Sequence, residues 1–587
     1  MEEAPMTLRG ILSTLTLCAA ALAAAASPCA ASRSVGDTLT VIARPILAIP
    51  QIAAPGQSFT IEARAPSSAG GWSASLVGAP GQYPLSVDGA AYNADHERWF
   101  IDVTVPPDAP EEIYDLSVEA SGGIVDSEAH AVMVRQSIGD DYYFVQITDT
   151  HLPTHKYYYQ QGADTDTSEM EDLHAVIDDL NIINPAFVLL TGDVVNEGEL
   201  EDFLDKRYYT RAKRILERLE VPVYVCAGNH DVGGWEDTPP SDGTARRNWW
   251  KFFGWNYLND PPAADNVYTQ NYSFDYGGAH FVSLEAYNNY DRWRRSLYGD
   301  DSFTTRQILW LNSDLSAVPT GTPVVAFYHM DFRDQLDLDD LGIDCALWGH
   351  VHYTSGSIHS HPYDLSTETV CDGERAMRVV RVQNGGTIVP SEPISAGPTG
   401  FNLRLAFEHP NDGTRTENAA SIVNNQPKDF EQALIKFRMS AESAPYEVDD
   451  GELFQTVIDG DVAVCYVRLN ALSGEINVVN ISPEQGSGIS DGAGALLSLI
   501  RPSFPNPATS HASLGFSLSR PAEVRVEVYD VLGRRVRDLA CGARGPGEHE
   551  IRWDLRDDDG SRVSSGVYMW RVESDGEVLR SQAAVLR

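Results

Sequence analysis

The stretch VPVYVCAGNHDVGG, Val221 to Gly234, begins as a buried strand and ends as something else. Val221, Val223, Tyr224 and Val225 are apolar and rich in residues that favour β structure. Gly228, Asn229, His230 and Asp231 follow in one run, small, polar or ionisable. A core strand that stops this way is either entering an ordinary turn or delivering ligands at its carboxyl end, where open α/β sheets bind them. The neighbouring segments decide between the two.

Working outward, DYYFVQITD is a strand with a polar end, and PAFVLLTGD is another. Between them SEMEDLHAVIDDLNIIN has helical spacing, with Leu173, Val176, Ile177 and Leu180 on one face. FLDKRYYTRAKRILERLE and TRQILWLNSDLSAV read as further helices; SFDYGGAHFVSLEA, PVVAFYHM and DCALWGHVH read as further strands. Strands alternating with helices predict an α/β layer with parallel strands. Gly233 to Asn266 breaks the rhythm and reads as a long loop over the strand ends, a lid or specificity wall.

Five of these strands end in metal-ligand residue types: Asp149 and His151, Asp193, Asn229 and His230, His329, then His350 and His352. One histidine after a strand is usually a polar loop residue, and GD or GH makes a turn by itself. The ordered set is harder to dismiss, because it gathers oxygen and nitrogen donors on one rim of the sheet. Five of the chain's 15 histidines fall in it.

The rest of the chain is largely β. Residues 36–137 alternate apolar and polar residues in SFTIEARA, RWFIDVTVP and IYDLSVEA, which predicts an Ig-like β-sandwich. Residues 361–485 return to strands such as ALIKFRMSA and read as a β-rich C-terminal region of the catalytic part, residues 486–500 read as a Gly/Ser-rich linker, and 501–587 as a second compact β-sandwich. Arg9 followed by the apolar run Ile11 to Ala26 reads as an export signal spanning residues 1–31. The run is short for a membrane span, and no later stretch is long and apolar enough for one. The expected location is outside the cell or on its surface, with the periplasm as the alternative.

A formal net charge of -41 disfavours nucleic acid or an anionic membrane as a surface-wide partner. A local cation site is compatible with it. Residues 501–587 hold 13 Arg against 13 Asp or Glu, so the acidic excess belongs to the residues before them. The seven cysteines are scattered with no CxxC pair, which argues against a zinc ribbon or a disulfide framework.

The order DTH, GD, GNHD, YHM, GHVH resembles the calcineurin-like metallophosphoesterase superfamily over residues 140–360. The resemblance implies a multidomain α/β plus β fold, with a central four-layer α/β metallophosphoesterase domain flanked by β-sandwich modules. It implies one metal held by Asp149, His151, Asp193 and His352, and a second by Asp193, Asn229, His329 and His350, with Asp193 shared. His230 would face the substrate as acid, oriented by Asp231. Gly228 would let the backbone turn tightly enough to aim Asn229 and His230. Mixed oxygen and nitrogen donors, rather than a soft thiolate set, suit Mn, Zn or Fe. A water shared by two such cations loses a proton near neutral pH and can attack a phosphate ester in line.

Purple acid phosphatases carry a tyrosine ligand three residues after the GD aspartate; here that place is Asn196, so their colour and ferric dependence are not expected. TGDVVNEGE looks closer to bacterial phosphodiesterases. The favoured function is hydrolysis of a small-molecule or polymer phosphodiester. The alternatives are a phosphate-scavenging phosphomonoesterase and a surface binding or adhesion protein with an inactive core. The tail, with RPSFPNPATS, VEVYDVLGRRVRDLA and SSGVYMWRV, resembles the β-sandwich tail related to flagellar hook-capping proteins; similar tails serve as type IX secretion sorting signals in some bacteria, and the alternative is a plain Ig-like accessory domain without sorting function. Secretion machinery is the partner that this likeness implies.

Overall fold

The computed structural model describes residues 40–154, 168–201, 207–232, 244–254, 270–285, 287–288, 301–303, 305–331, 335–398, 400–484, 497–504, 508–530, 534–574 and 577–585. They form two compact units, one within Met1–Glu484 and one within Gln485–Arg587. The expected export segment lies outside the described residues.

The strand that opened the sequence reading, Val223–Cys226, sits at one edge of a sheet. Val188–Thr191 runs parallel to it and to Tyr142–Ile147. Every residue of these three strands is buried. That is why they read as near-continuous apolar runs rather than alternating ones. Ala376–Gln383 pairs antiparallel with Tyr142–Ile147, and Thr387–Pro390 follows it. The second sheet runs Asn271–Tyr276, Ala279–Leu284, Val324–Tyr328, Cys345–Trp348, Tyr363–Ser366, all parallel after the first hairpin.

The two sheets bury one aromatic core between them. Phe144 and Phe187 stack with ring centroids 5.3 Å apart, and Phe281 of the second sheet meets Phe187 edge-on at 5.0 Å. Such pairs add about 0.5–1.5 kcal/mol each beyond their buried area. Helices cover the outer faces. Ser168–Ile183 buries Leu173, Val176, Ile177 and Leu180, the face expected from its spacing. Thr305–Leu315 places Leu311 against Val282, Leu284, Ala326 and Ala346. The order helix, sheet, sheet, helix makes the expected four layers.

Two expectations need correction. The strands Tyr363–Ser366, Ala376–Gln383 and Thr387–Pro390 belong to these two sheets, so a domain boundary at residue 360 cuts through them. Leu497–Phe504 is a strand of the C-terminal module, so the linker does not reach residue 500. Of the Gly233–Asn266 loop, residues 244–254 are described, and Thr244–Phe252 is a helix that buries Trp249, Trp250 and Phe252. The remainder of that loop lies outside the described residues.

The N-terminal module is a continuous eight-stranded order wrapped around its own core of Ile61, Leu76, Val103 and Leu116. Buried charges tie it to the rest of its unit. Glu111 accepts from Arg135 at 2.9 Å and from Arg468, and Glu112 accepts from Lys436 and Tyr466 at 2.9 Å each. Burial alone would raise the Glu111 pKa, but the two arginines outweigh it and hold the carboxyl low. The C-terminal unit packs a three-stranded and a four-stranded sheet over Phe516, Val526, Trp553 and Trp570. Among the described residues, no helix is long and apolar enough to cross a membrane.

Candidate metal centre

The strands deliver their polar ends to one place. Asp149 and His151 follow Tyr142–Ile147, Asp193 follows Val188–Thr191, and Asn229 and His230 open a helical turn after Val223–Cys226. From the second sheet come His329, just after Val324–Tyr328, and His350 and His352, after Cys345–Trp348. The site therefore spans the seam between the two sheets.

Five of these residues hold left-handed backbone: Asp149 at φ +54°, His151 at +43°, Asp193 at +51°, His350 at +68° and His352 at +59°. This region costs a non-glycine residue on the order of 1–3 kcal/mol and persists only where neighbours enforce it. The neighbours are cross-loop hydrogen bonds. Asp149 N–H donates to Gly192 O at 3.1 Å, His151 N–H to Asp193 O at 2.9 Å, and Cys371 N–H to Asp149 O at 3.2 Å.

The expected ligands converge. His151 Nε2 and His352 Nε2 are 3.1 Å apart, with Asp149 Oδ1 at 3.7 and 3.3 Å from them. Asp193 Oδ2 is 3.0 Å from His329 Nε2 and 3.7 Å from His151 Nε2. Nitrogen and carboxylate donors at about 3–4 Å from one another are spaced like neighbouring ligands of one cation bonded at roughly 2.0–2.2 Å. Asp193, His329 and His350 form one group of ligand atoms within 4.8 Å of one another. His151, Asp193 and His230 form another, and His151, His352 and Cys371 a third. Asn229 is buried at the start of its turn.

The electrostatics match a site made for cations. Burial would raise the Asp149 and Asp193 carboxyls, but His329 and the other histidines outweigh it and hold both well below the usual range. The same carboxylates overcome burial at His329 and raise it to about 9. Burial pushes His151 and His350 down to about 4.

Three roles differ from the sequence reading. First, Asp231 does not orient His230. Its carboxylate accepts from Gly228 N–H at 2.8 Å, Val195 N–H at 3.0 Å and Val194 N–H at 3.2 Å. The His230 Nδ1 hydrogen bond is to the carbonyl of Asn196, at 2.5 Å, while His230 N–H donates to Asp193 Oδ1 at 2.9 Å. All three of these Asp231 hydrogen bonds go to backbone donors. Second, Gly228 is not in the left-handed region; it is glycine because a Cβ there would overlap the Asp193 carboxylate and backbone nitrogen. Gly349 is the same case, its Cβ falling onto Thr148 Oγ1 and Asp149. Third, Cys371 reaches the site although no cysteine spacing announced it.

Backbone partners were equally invisible in the sequence. His329 Nδ1 lies 2.8 Å from Thr191 O, which leaves Nε2 to face the site. Beneath, Gln146 donates to Thr191 Oγ1 and to Trp348 O at 3.0 Å each and so bridges the two sheets.

The chain matches the calcineurin-like phosphoesterase family over residues 142–354 and the FlgD Ig-like domain family over residues 505–577. No curated protein matches it. Among solved structures, it is similar to a dimetal phosphatase of Danio rerio, at 15% identity, over 44% of this chain and 99% of that one, with a TM-score of 0.31. A purple acid phosphatase, PPD1 of yellow lupin (Lupinus luteus) seeds, shows 14% identity over 63% of this chain and 70% of that one, with a TM-score of 0.30. FlgD of P. aeruginosa shows 26% identity over 15% of this chain and 66% of that one, with a TM-score of 0.11. The motif order and the family match agree on residues 142–354, which carry the pattern of metal-dependent calcineurin-like phosphoesterases, and the FlgD Ig-like match follows them in sequence.

Proposed function

We propose that the chain is an exported phosphodiesterase with a two-cation centre. Asp149, His151, Asp193 and His352 hold one ion; Asp193, Asn229, His329 and His350 hold the other. The observation that carries this reading is the reach of Asp193. One Oδ2 lies within 3.0 Å of His329 and 3.7 Å of His151, residues from the two different ligand sets. Mn, Zn and Fe suit these donors. Such a pair, when bound, supplies Lewis-acid charge to phosphoryl oxygens and makes water a nucleophile near neutral pH.

The protein's own part is orientation and proton delivery. With Nδ1 held by Asn196 O, His230 presents Nε2 to the leaving group and protonates the departing alkoxide. Asp231 holds the GD and GNHD loops in register through its three backbone contacts. Preference for a diester rests on the TGDVVNEGE segment and its spacing to GNHD. Export rests on the N-terminal Arg9 to Ala31 pattern. The FlgD-type domain is consistent with a sorting role through secretion machinery.

Hydrolysis of bis-p-nitrophenyl phosphate against p-nitrophenyl phosphate, with Mn, Zn and Fe in turn, tests the reading. Faster turnover of the diester supports it. Faster turnover of the monoester replaces it with phosphate scavenging, and no turnover by fully loaded protein replaces it with a binding role.

A further inference from the structure

Cys371 lies beyond the matched family segment and is fully buried. Buried free thiols are common and usually behave as small apolar groups. Cys226, Cys345 and Cys465 fit that description, each buried within a strand. Cys371 differs in its company. Its Sγ and one ring nitrogen each of His151 and His352 lie within 4.8 Å of one another, and it is the only cysteine among the described residues in such a group.

The backbone holds it there. Val370 N–H donates to Thr148 O at 3.0 Å, Cys371 N–H to Asp149 O at 3.2 Å, and Thr369 Oγ1 to Asp149 O at 2.7 Å. The 369–371 segment is thus laid along the loop that carries Asp149 and His151. The thiol has only weak polar partners of its own, Thr369 Oγ1 at 3.0 Å and Asp372 Oδ2 at 3.5 Å.

We propose that Cys371 is a thiolate ligand of the cation held by Asp149, His151 and His352. This rests on the reading of those three residues as ligands and adds a donor to them. Cation binding displaces the thiol proton to water, and no electron transfer is involved. The two halves of the centre then differ in kind. The half with Cys371 combines oxygen, nitrogen and sulfur and selects zinc, while the half with His329 and His350 has only oxygen and nitrogen and accepts harder ions such as manganese.

The test is metal-removed full-length protein reloaded with cobalt or zinc. Cobalt-loaded wild type should show a near-ultraviolet sulfur-to-cobalt charge-transfer band, and X-ray absorption of protein with one zinc equivalent should show one sulfur at roughly 2.3 Å. Cys371→Ser should lose the band and bind zinc roughly 10–100-fold more weakly, with manganese binding little changed. Cys541→Ser, at an exposed thiol, should leave both readouts as in wild type. Should Cys371→Ser fail to fold, the zinc absorption spectrum of wild type decides alone. Metal bound with no sulfur neighbour, or a band that survives Cys371→Ser, overturns the proposal and leaves the two-cation reading standing. No tight metal binding at all overturns both.

Discussion

Asp231→Asn separates a residue that holds loops from one that assists His230. In the wild type, Oδ2 accepts from Gly228 and Val194 N–H and Oδ1 from Val195 N–H. An asparagine can keep its oxygen at the Oδ2 position and save two of these. Its amide then points donors at the Val195 N–H, which is left unsatisfied in a fully buried place. A lost hydrogen bond to a charged group is worth about 1.5–3 kcal/mol, and an unsatisfied buried donor costs about 1–3 kcal/mol. Relief of a buried carboxyl, whose pKa burial and Asp193 raise to about 7, offsets part of this. The expected net loss near neutral pH is about 0–2 kcal/mol. Because Val194 follows Asp193 and Gly228 precedes Asn229, metal should be lost as well. Urea unfolding and elemental analysis of the same preparation measure both effects. A variant with wild-type stability and full metal content, but kcat lower by about 10²-fold or more, would show that the carboxylate serves His230 after all.

Three further outcomes are expected. His230→Ala should lower kcat by roughly 10²–10⁴ and leave metal content nearly unchanged, with a smaller loss on substrates whose leaving group is a nitrophenolate. Loss of metal in that variant would make His230 a ligand. Gly349→Ala should cost about 1–3 kcal/mol and weaken metal binding, since its Cβ displaces Thr148 and Asp149; unchanged metal affinity would refute the close-approach argument. Asp179 is buried, and burial raises its pKa to about 8, above an unfolded value of about 3.9. The folded chain then keeps a proton that the unfolded chain has released, so stability falls as pH rises from about 4 to 8. Asp179→Asn should remove that slope and be the more stable protein at pH 8 by about 1–4 kcal/mol, with little difference near pH 4, as read by urea unfolding at both.

The candidate site residues were legible as a group because each sits where a run of buried β residues stops, a change of texture visible in one dimension. The four helical-face residues Leu173, Val176, Ile177 and Leu180 were legible for the same reason: local periodicity records burial. The misreadings concern contacts between loops far apart in the chain. Gly228 looks like a turn glycine in isolation, and only the approach of Asp193 shows that it makes room. Asp231 adjoins His230 in sequence but points to residues 194 and 195. Cys371 follows His352 by 19 positions with no spacing rule to flag it. The strands within 363–390 were read as part of the catalytic region but not as members of its two sheets, because which strands pair is a long-range contact that local pattern does not record.

The central claim is a centre whose two cations share Asp193. Titrating metal-removed protein while following hydrolysis of bis-p-nitrophenyl phosphate tests it most directly, with Asp193→Ala alongside. Activity should rise until about two equivalents per chain are bound, and Asp193→Ala should bind neither ion tightly nor turn over substrate. Full activity in excess chelator, saturation at one equivalent, or an Asp193→Ala protein that keeps both ions and its activity would contradict the account.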